Sequence, residues 1–231
     1  MSIDAIVAPA DVSLLRLMQL VSPALPVGAY AYSQGLEHAV CAGWVRDEAT
    51  AAEWIGGLLD HALCRLDVPV LSRLHAAWMA EDCEQVEYWA AFLHASRESA
   101  ELQAEDRHLG GALARLLTDL EFSEARPWID HPCRGFAVLF ALAGVRWGIA
   151  VKETLAGYLW TWAENQVAAA IKLVPLGQTA GQRILSRMIK RIPSAVERAS
   201  GFGDEDIGFF TPGLGIASAA HETQYSRLFR S

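Results

Sequence analysis

Histidine and cysteine side chains lie close together in the sequence at two places, and both residue types bind transition metals. His61 and Cys64 are three positions apart, which places them on one face of a helix. Residues 131–133 hold a histidine and a cysteine on either side of a proline. A closed metal site requires about three or four protein ligands, and neither pair has a third ligand nearby. We therefore predict no resident metal, and these side chains either pack in the fold or contact a metal ion transiently.

The sequence also lacks the motifs of common catalytic sites. No phosphate-binding G-x-x-x-x-G-K-[ST] loop is present, and Ser33 lacks the leading glycine of a hydrolase nucleophile turn. His221 and Glu222 begin as a zinc-protease motif does, but Tyr225 stands where the second histidine is needed. We expect no catalytic residues, no cofactor and no enzyme activity.

Basic residues mark two further places. Lys172 interrupts an apolar run near the end of a predicted helix. It either extends to solvent past the helix end or pairs with a buried acid. A second group recurs at helical spacing and forms either a solvated helix face or a docking patch for an acidic partner. Its members are Arg183, Arg187, Lys190 and Arg191.

Composition narrows the class of protein. Of 231 residues, 52% are hydrophobic and 20% charged, which indicates a folded chain with a sizeable core. A formal net charge of -8 argues against generic nucleic-acid binding. We find neither a secretory signal nor an apolar run long enough to span a bilayer, so we expect a cytoplasmic protein with no membrane contact. The low charge and high apolar fraction favour a homodimer.

Apolar residues recur with the period of an α-helix through most of the chain, and no convincing β-period run appears. We predict an all-α fold, a single helical-bundle domain of roughly eight to ten helices over residues 1–231. Pro175 and Pro193 are expected to stop helices, and Gly110 with Gly111 to mark a kink or a close helix crossing.

The two ends of the chain differ from the middle. Residues 1–10 and 201–231 are expected to be flexible until a partner orders them. Residues 201–215 contain five glycines and are expected to be irregular. The first helix carries apolar residues on too many sides for one-sided burial. It is therefore either buried within the domain or docked partly on another chain.

Near the end of the chain, three large side chains lie within residues 223–231, which we call the tail. Burying Tyr225, Leu228 and Phe229 would contribute roughly 5–8 kcal/mol. Fixing the backbone of about ten residues costs roughly 10–20 kcal/mol. The tail is therefore expected to need further contacts, which a partner chain would supply.

Residues 20–37, which we call the loop, interrupt the helical pattern with two prolines and two glycines. The loop also holds large apolar and aromatic side chains, which a solvated linker would lack. We expect it to pack against the domain, with Ser33 capping the helix that follows.

The loop, L-V-S-P-A-L-P-V-G-A-Y-A-Y-S-Q-G-L-E, resembles the signature of the urease accessory protein UreF family. Residues 170–178 (A-I-K-L-V-P-L-G-Q) and 221–231 (H-E-T-Q-Y-S-R-L-F-R-S) are similar to that family in the same order. The segment Ala29-Tyr30-Ala31-Tyr32 departs from the phenylalanine and serine expected there.

The resemblance implies a non-enzymatic urease maturation factor that bridges UreD (UreH) and the nickel-carrying GTPase UreG on apo-urease. GTP hydrolysis by UreG would then be coupled to nickel insertion. It also implies a homodimer and a pairing of Lys172 with Glu37. The implied UreG-facing residues are Tyr30, Tyr32, Ser33, Gln34, Glu37, Lys172 and Gln178. The implied UreD-facing residues are Tyr225, Arg227, Leu228, Phe229 and Arg230.

The sequence is also compatible with two other functions. One is a GTPase-activating protein that supplies a side chain to UreG in trans, with Gln34, Arg183 and Arg187 as the candidate donors. The other is a stand-alone nickel carrier that uses the histidines and cysteines.

Overall fold

The computed structural model describes residues 9–208 and 211–231, and this part of the chain forms one all-helical body without β-strands. Its ten α-helices are α1 (Pro9–Leu20), α2 (Leu36–Cys41), α3 (Glu48–Leu58), α4 (Asp67–Met79), α5 (Cys83–Ala95), α6 (Ala100–Asp119), α7 (Phe136–Arg146), α8 (Val151–Leu173), α9 (Gln178–Ser200) and α10 (Pro212–Glu222). Short 3-10 turns lie at Ala29–Ala31, Ser123–Trp128 and Asp204–Asp206, and a π-helical turn at Leu59–Leu63 continues α3. The all-α prediction is confirmed.

Local capping explains where several helices begin. The Asp47 carboxylate accepts the Thr50 amide of α3 at 2.8 Å, and the Thr50 hydroxyl accepts the Asp47 amide in return. The Ser99 hydroxyl accepts the Leu102 amide at the start of α6. Each cap satisfies a backbone donor that has no partner inside its own helix.

The core is built around α7, whose residues from Phe136 to Gly144 are all buried. Helices α4, α6 and α8 pack on it, and α9 lies along α8. Helix α10 packs on α2 and α6, and thus closes the body near the loop. Within the described residues, no helix has both the length and the apolar composition that a bilayer crossing requires.

Helix α1 is buried on one side only. Leu20 is fully buried, and Leu17 and Val21 pack against the core. The opposite side leaves four apolar side chains exposed, which are Val12, Leu14, Leu15 and Met18. The predicted mobility of residues 1–10 falls almost wholly on residues 1–8, which lie outside the described part.

Pro193 does not stop a helix, so that prediction is wrong. Helix α9 continues through it to Ser200, because Ala195, Val196 and Ala199 keep a buried face beyond the proline. Pro193 and Ile189, the residue one turn before it, are both exposed. The Ile189 carbonyl, which loses its helical donor, therefore lies on the solvent side of the helix.

The prediction of an irregular segment over residues 201–215 is wrong for its last part. Helix α10 begins at Pro212, a position where the missing N–H of proline costs nothing. Its buried side chains recur with helical spacing and are Leu214, Ala217, Ser218 and His221. Residues 209–210, on which part of that prediction falls, lie outside the described part.

Gly110 and Gly111 do mark a close approach, although not to another helix. An added Cβ on Gly110 would lie 2.2 Å from the Arg134 carbonyl oxygen. The backbone of residues 134–135, which leads into α7, therefore touches α6 where a side chain is absent.

Gly110→Ala is expected to lower the free energy of unfolding by about 1–3 kcal/mol, because the new methyl group meets backbone that cannot rotate away. Gly57→Ala is the matched control, since nothing lies within 4 Å of a Cβ added there in α3. We expect that control to raise stability by up to about 1 kcal/mol through helix propensity. Urea denaturation measures both, and equal stabilities would contradict the close approach.

Candidate functional site

The loop is folded against the domain, as predicted. Ala29–Ala31 forms a 3-10 turn after Gly28, whose φ is 80°. Gln34 and Gly35 also have positive φ, 51° and 76°, and turn the chain into α2. Glycine adopts such angles readily, whereas a residue with a Cβ needs compensating contacts. The buried large apolar side chains of the loop are Leu20, Val27, Tyr32 and Leu36.

Contacts of the Gln34 amide hold this unusual backbone. Its Nε2 donates to Glu105 Oε1 at 2.8 Å, and its Oε1 accepts the Trp162 indole N–H at 2.7 Å. Asn165 of α8 donates to the Tyr32 carbonyl at 3.1 Å. The loop is thus fixed to both α6 and α8 by side-chain hydrogen bonds.

The Glu37 carboxylate binds the tail. Its Oε1 accepts the Leu228 amide at 2.7 Å, and its Oε2 accepts the Phe229 amide at 2.9 Å. Next along the tail, the Arg230 amide donates to the Ala31 carbonyl at 2.8 Å. We call these hydrogen bonds, together with the one between Ser33 and Ser231, the loop–tail contact.

Ser33 completes the loop–tail contact. Its amide and its hydroxyl both donate to the Ser231 carbonyl, at 2.7 and 2.6 Å. The hydroxyl also accepts the Glu37 amide at 3.3 Å, so Ser33 does satisfy a first-turn donor of α2. The Ser231 hydroxyl in turn donates to Glu105 Oε2 at 2.9 Å.

His221 links the loop–tail contact to α6. The fully buried imidazole lies between two carboxylates, with Nε2 3.2 Å from Glu37 and Nδ1 2.8 Å from Glu101. Both ring nitrogens are thus within hydrogen-bond distance of a carboxylate oxygen. Arg227 also binds Glu101 at 2.8 Å. Glu37, Glu101, His221 and Arg227 therefore meet where α2, α6, α10 and the tail come together.

A second buried ionic group supports α6 from the other side. Arg97 binds Asp67 at 2.7 Å and Asp106 at 3.3 Å, and Asp106 accepts the Phe136 amide at the start of α7. Burial alone would lower the pKa of Arg97, but the two carboxylates hold it above the ordinary value. Tyr158 donates to Asp67 at 3.1 Å, and burial raises the pKa of its hydroxyl.

A cavity of about 80 Å³ lies beside the Arg97 group, and its lining includes Gln34, Glu105, Arg97 and Trp162. Burial raises the pKa of the Glu105 carboxyl to about 7, and the hydrogen bonds from Gln34 and Ser231 only partly offset that rise. Burial also raises the pKa of the Tyr32 hydroxyl, which lies 2.9 Å from His108 Nδ1.

Lys172 and Glu37 do not form the expected pair. The Glu37 oxygens are taken by tail amides and His221, while the exposed Lys172 ammonium lies 5.5 Å from the Phe229 ring centre. Lys172 therefore makes a cation–π contact with the tail. Of its two alternatives from the sequence, the exposed helix-end position is the observed one.

The structure divides the remaining predicted residues by exposure. Tyr30, Tyr225 and Leu228 are 72%, 105% and 66% exposed, whereas Phe229 is buried. Gln178, Arg227 and Arg230 are exposed as well. Gln178 begins α9, and no hydrogen bond or ion pair joins its side chain to the loop or tail in the described structure.

The tail makes these contacts within its own chain, whereas a partner was expected to supply them. Apolar burial alone does not include the Glu37 and Ser33 hydrogen bonds, which also hold the tail. Mobility of the tail stays a prediction, and any opening must break the loop–tail contact.

The histidine and cysteine pairs do not converge on a metal site in the part of the chain that is described. His61 is exposed, while the buried Cys64 thiol faces the Ala195 carbonyl at 3.3 Å. His131 Nδ1 accepts the Cys133 amide at 3.2 Å. Across the described ranges, no group of three histidine, cysteine or acidic side chains is arranged to hold a metal ion.

Sequence reasoning missed Glu101 and Glu105, which follow an ordinary helical pattern in α6. It noted His221 only as part of an incomplete protease motif. The available signal was the helical spacing of Leu214, Ala217 and His221, which places the histidine on the buried face of α10.

Glu37→Gln is expected to speed hydrogen exchange of the Leu228 and Phe229 amides at least about tenfold, because a carboxamide offers one acceptor oxygen and a hydrogen bond to a charged group contributes about 1.5–3 kcal/mol. The exposed Glu53 of α3 provides the control Glu53→Gln. Unchanged exchange in Glu37→Gln would show that the carboxylate does not hold the tail.

The raised pKa of Glu105 leads us to expect a free energy of unfolding that depends on pH. Its pKa rises from an ordinary 4.5 to about 7 on folding, so the folded state keeps a proton that the unfolded state releases. The resulting stabilisation is complete below pH 4.5, declines as pH rises and is lost above about 7.

Glu105→Gln removes this titration while keeping the side-chain shape. Between pH 4.5 and 8, the free energy of unfolding of the natural chain is therefore expected to fall by up to about 3 kcal/mol relative to that of the variant. Urea denaturation of both proteins across that range measures the difference between their free energies of unfolding. The other titratable groups are the same in both proteins, so their contributions cancel in this difference. A difference that does not change with pH would contradict the assignment.

A family model described as UreF matches residues 45–189. A urease accessory protein UreF of Alkalilimnicola ehrlichii is 55% identical over 94% of this chain and 95% of its own length. One of Teredinibacter turnerae is 52% identical over 94% and 98%, and one of Chromohalobacter salexigens is 46% identical over the full length of both. The chain therefore belongs to the urease accessory protein UreF family.

Proposed function

We propose that this chain is a urease maturation factor that acts as a scaffold between UreD and UreG on apo-urease. The observation that carries the proposal is the loop–tail contact, which joins two of the three family-like segments, the first and the last. Exposed Tyr30 lies in one segment, and exposed Tyr225 and Leu228 lie in the other. Exposed aromatic and apolar side chains on a well-ordered support are typical anchors of protein interfaces.

In this proposal UreD contacts the tail, and UreG contacts the loop together with Lys172 and Gln178. Coupling of GTP hydrolysis to nickel insertion belongs to the assembled complex, with nickel as cargo. The proposed homodimer and a cytoplasmic location complete the scheme. Support for a further protein contact comes from the exposed apolar side of α1 (Val12, Leu14, Leu15 and Met18), which is unusual for a solitary protein.

A non-enzymatic role is supported by the contacts of the groups that resemble catalytic ones. His221 is held between Glu37 and Glu101, and Ser33 donates its hydroxyl hydrogen to Ser231. Neither side chain is paired with a base or acid that faces an open substrate site. Their observed contacts hold the loop and the tail in place.

The alternative, a GTPase-activating protein for UreG, requires a side chain that can leave this chain. The Gln34 amide is bound at both ends, by Glu105 and Trp162. Arg183 and Arg187 are exposed but both lie on Glu48. These contacts favour the scaffold. GTP turnover by UreG that accelerates with this chain and loses the acceleration in Arg183→Ala would favour the activator.

The scaffold is tested by measuring binding to purified UreD and UreG separately. Tyr225→Ala with Leu228→Ala is expected to weaken UreD binding about tenfold or more and to spare UreG, because loss of an exposed anchor costs at least about 1–2 kcal/mol. Tyr30→Ala is expected to do the reverse. Tyr88→Ala, at the 55% exposed tyrosine of α5, is the matched control and should change neither. Losses of equal size in all three variants would contradict separate UreD and UreG faces.

A further inference from the structure

We propose that the outward face of α9 is a docking surface for an acidic segment of a partner protein. Five cations lie along it within about four turns, and we call them the α9 stripe. They are Arg183, Arg187, Lys190, Arg191 and Arg198. Positive charge is thus concentrated on one helix of a chain whose formal net charge is -8. This proposal stands independently of the UreD and UreG faces.

Two carboxylates from neighbouring elements hold the arginines in place. Glu48, at the start of α3, accepts the Arg183 Nε at 3.0 Å and lies 3.7 Å from Arg187. Asp60, in the π-helical turn, binds Arg191 at 2.8 Å and Arg198 at 2.6 Å. Each carboxylate is shared by two guanidinium groups, so the cations of the stripe outnumber its anions.

The arginines remain accessible although they are held. The side chains of Arg183, Arg187, Arg191 and Arg198 are 57%, 54%, 46% and 50% exposed. A guanidinium has five N–H donors, and the contacts above use only some of them. The remaining donors can bind further carboxylates without the full entropy cost of ordering a free side chain.

Gly56 provides the space for this arrangement on α3. A Cβ added at Gly56 would lie 2.6 Å from Nη1 of Arg191. The guanidinium of Arg191 therefore lies directly against the backbone of α3 on its way to Asp60. Substitution of this glycine would displace the arginine from its position.

The chemistry of the stripe favours a protein segment over a nucleic acid. Lys190 forms no ion pair in the described structure, and Ile189, on another side of α9, is 54% exposed. A helix with carboxylates about four residues apart matches the four-residue spacing of Arg183, Arg187 and Arg191. The chain's overall negative charge would repel a long polyanion that extends beyond the stripe.

The proposal is tested on the full chain with a synthetic helical peptide of glutamate and leucine, whose glutamates recur about every fourth residue. We expect saturable binding by fluorescence anisotropy that weakens as NaCl rises from about 50 to about 300 mM. Arg187→Gln with Lys190→Gln should weaken this binding about tenfold. Arg187 has only the 3.7 Å contact with Glu48, and Lys190 forms no ion pair in the described structure. The fold should therefore be retained, which thermal unfolding checks.

The matched control is Arg115→Gln with Arg126→Gln, which removes the same charge from exposed positions outside the stripe. This control is expected to bind as the natural chain does. Equal loss of peptide binding in both double variants would overturn the proposal, because binding would then depend only on the net charge of the protein and not on the stripe. A duplex DNA probe that binds more tightly than the peptide, and loses binding in the stripe variant, would overturn it in favour of nucleic acid.

Discussion

The structure around the loop depends on the Glu37 carboxylate. A buried carboxylate is tolerated only where hydrogen-bond donors replace the lost water, and Glu37 obtains two backbone amides and the His221 ring. Those donors come from α10 and from the tail, which the Ser33–Ser231 and Arg230–Ala31 hydrogen bonds also join to the loop. One ionisable group thus connects three distant segments of the sequence.

The other buried charges act in the same manner. Arg97 joins α4 to α6 through Asp67 and Asp106, and Asp106 also receives the first amide of α7. Buried ion pairs contribute little net stability, because desolvation offsets much of their attraction. Their value here is geometric, since each charge permits only the arrangement in which its partners are present. Helical packing contributes most of the stability, and these charged groups favour one relative position of the helices.

Helical periodicity was sufficient to predict the fold class, because each helix buries one face and apolar residues at helical spacing mark that face in the local sequence. The Pro193 prediction was wrong since a local rule was outweighed by the buried face of Ala195, Val196 and Ala199. The site was harder to predict. Glu37 and Ser33 could be singled out through the family resemblance, but their partners His221 and Ser231 lie more than 180 residues away. No local pattern indicates such a contact, and the family resemblance implied Lys172, not the tail, as the partner of Glu37.

The loop–tail contact also has a bearing on the order of folding. The hydrogen bond from Leu228 to Glu37 closes a span of 191 residues. Contacts between residues so far apart in sequence form late, after the local helices have formed, because closing a long loop costs conformational entropy. A ribosome-bound chain that has emerged only as far as α9 holds Glu37 without any of its three donors. The carboxylate then stays hydrated, and this corner of the protein assembles only once α10 and the tail have been synthesised.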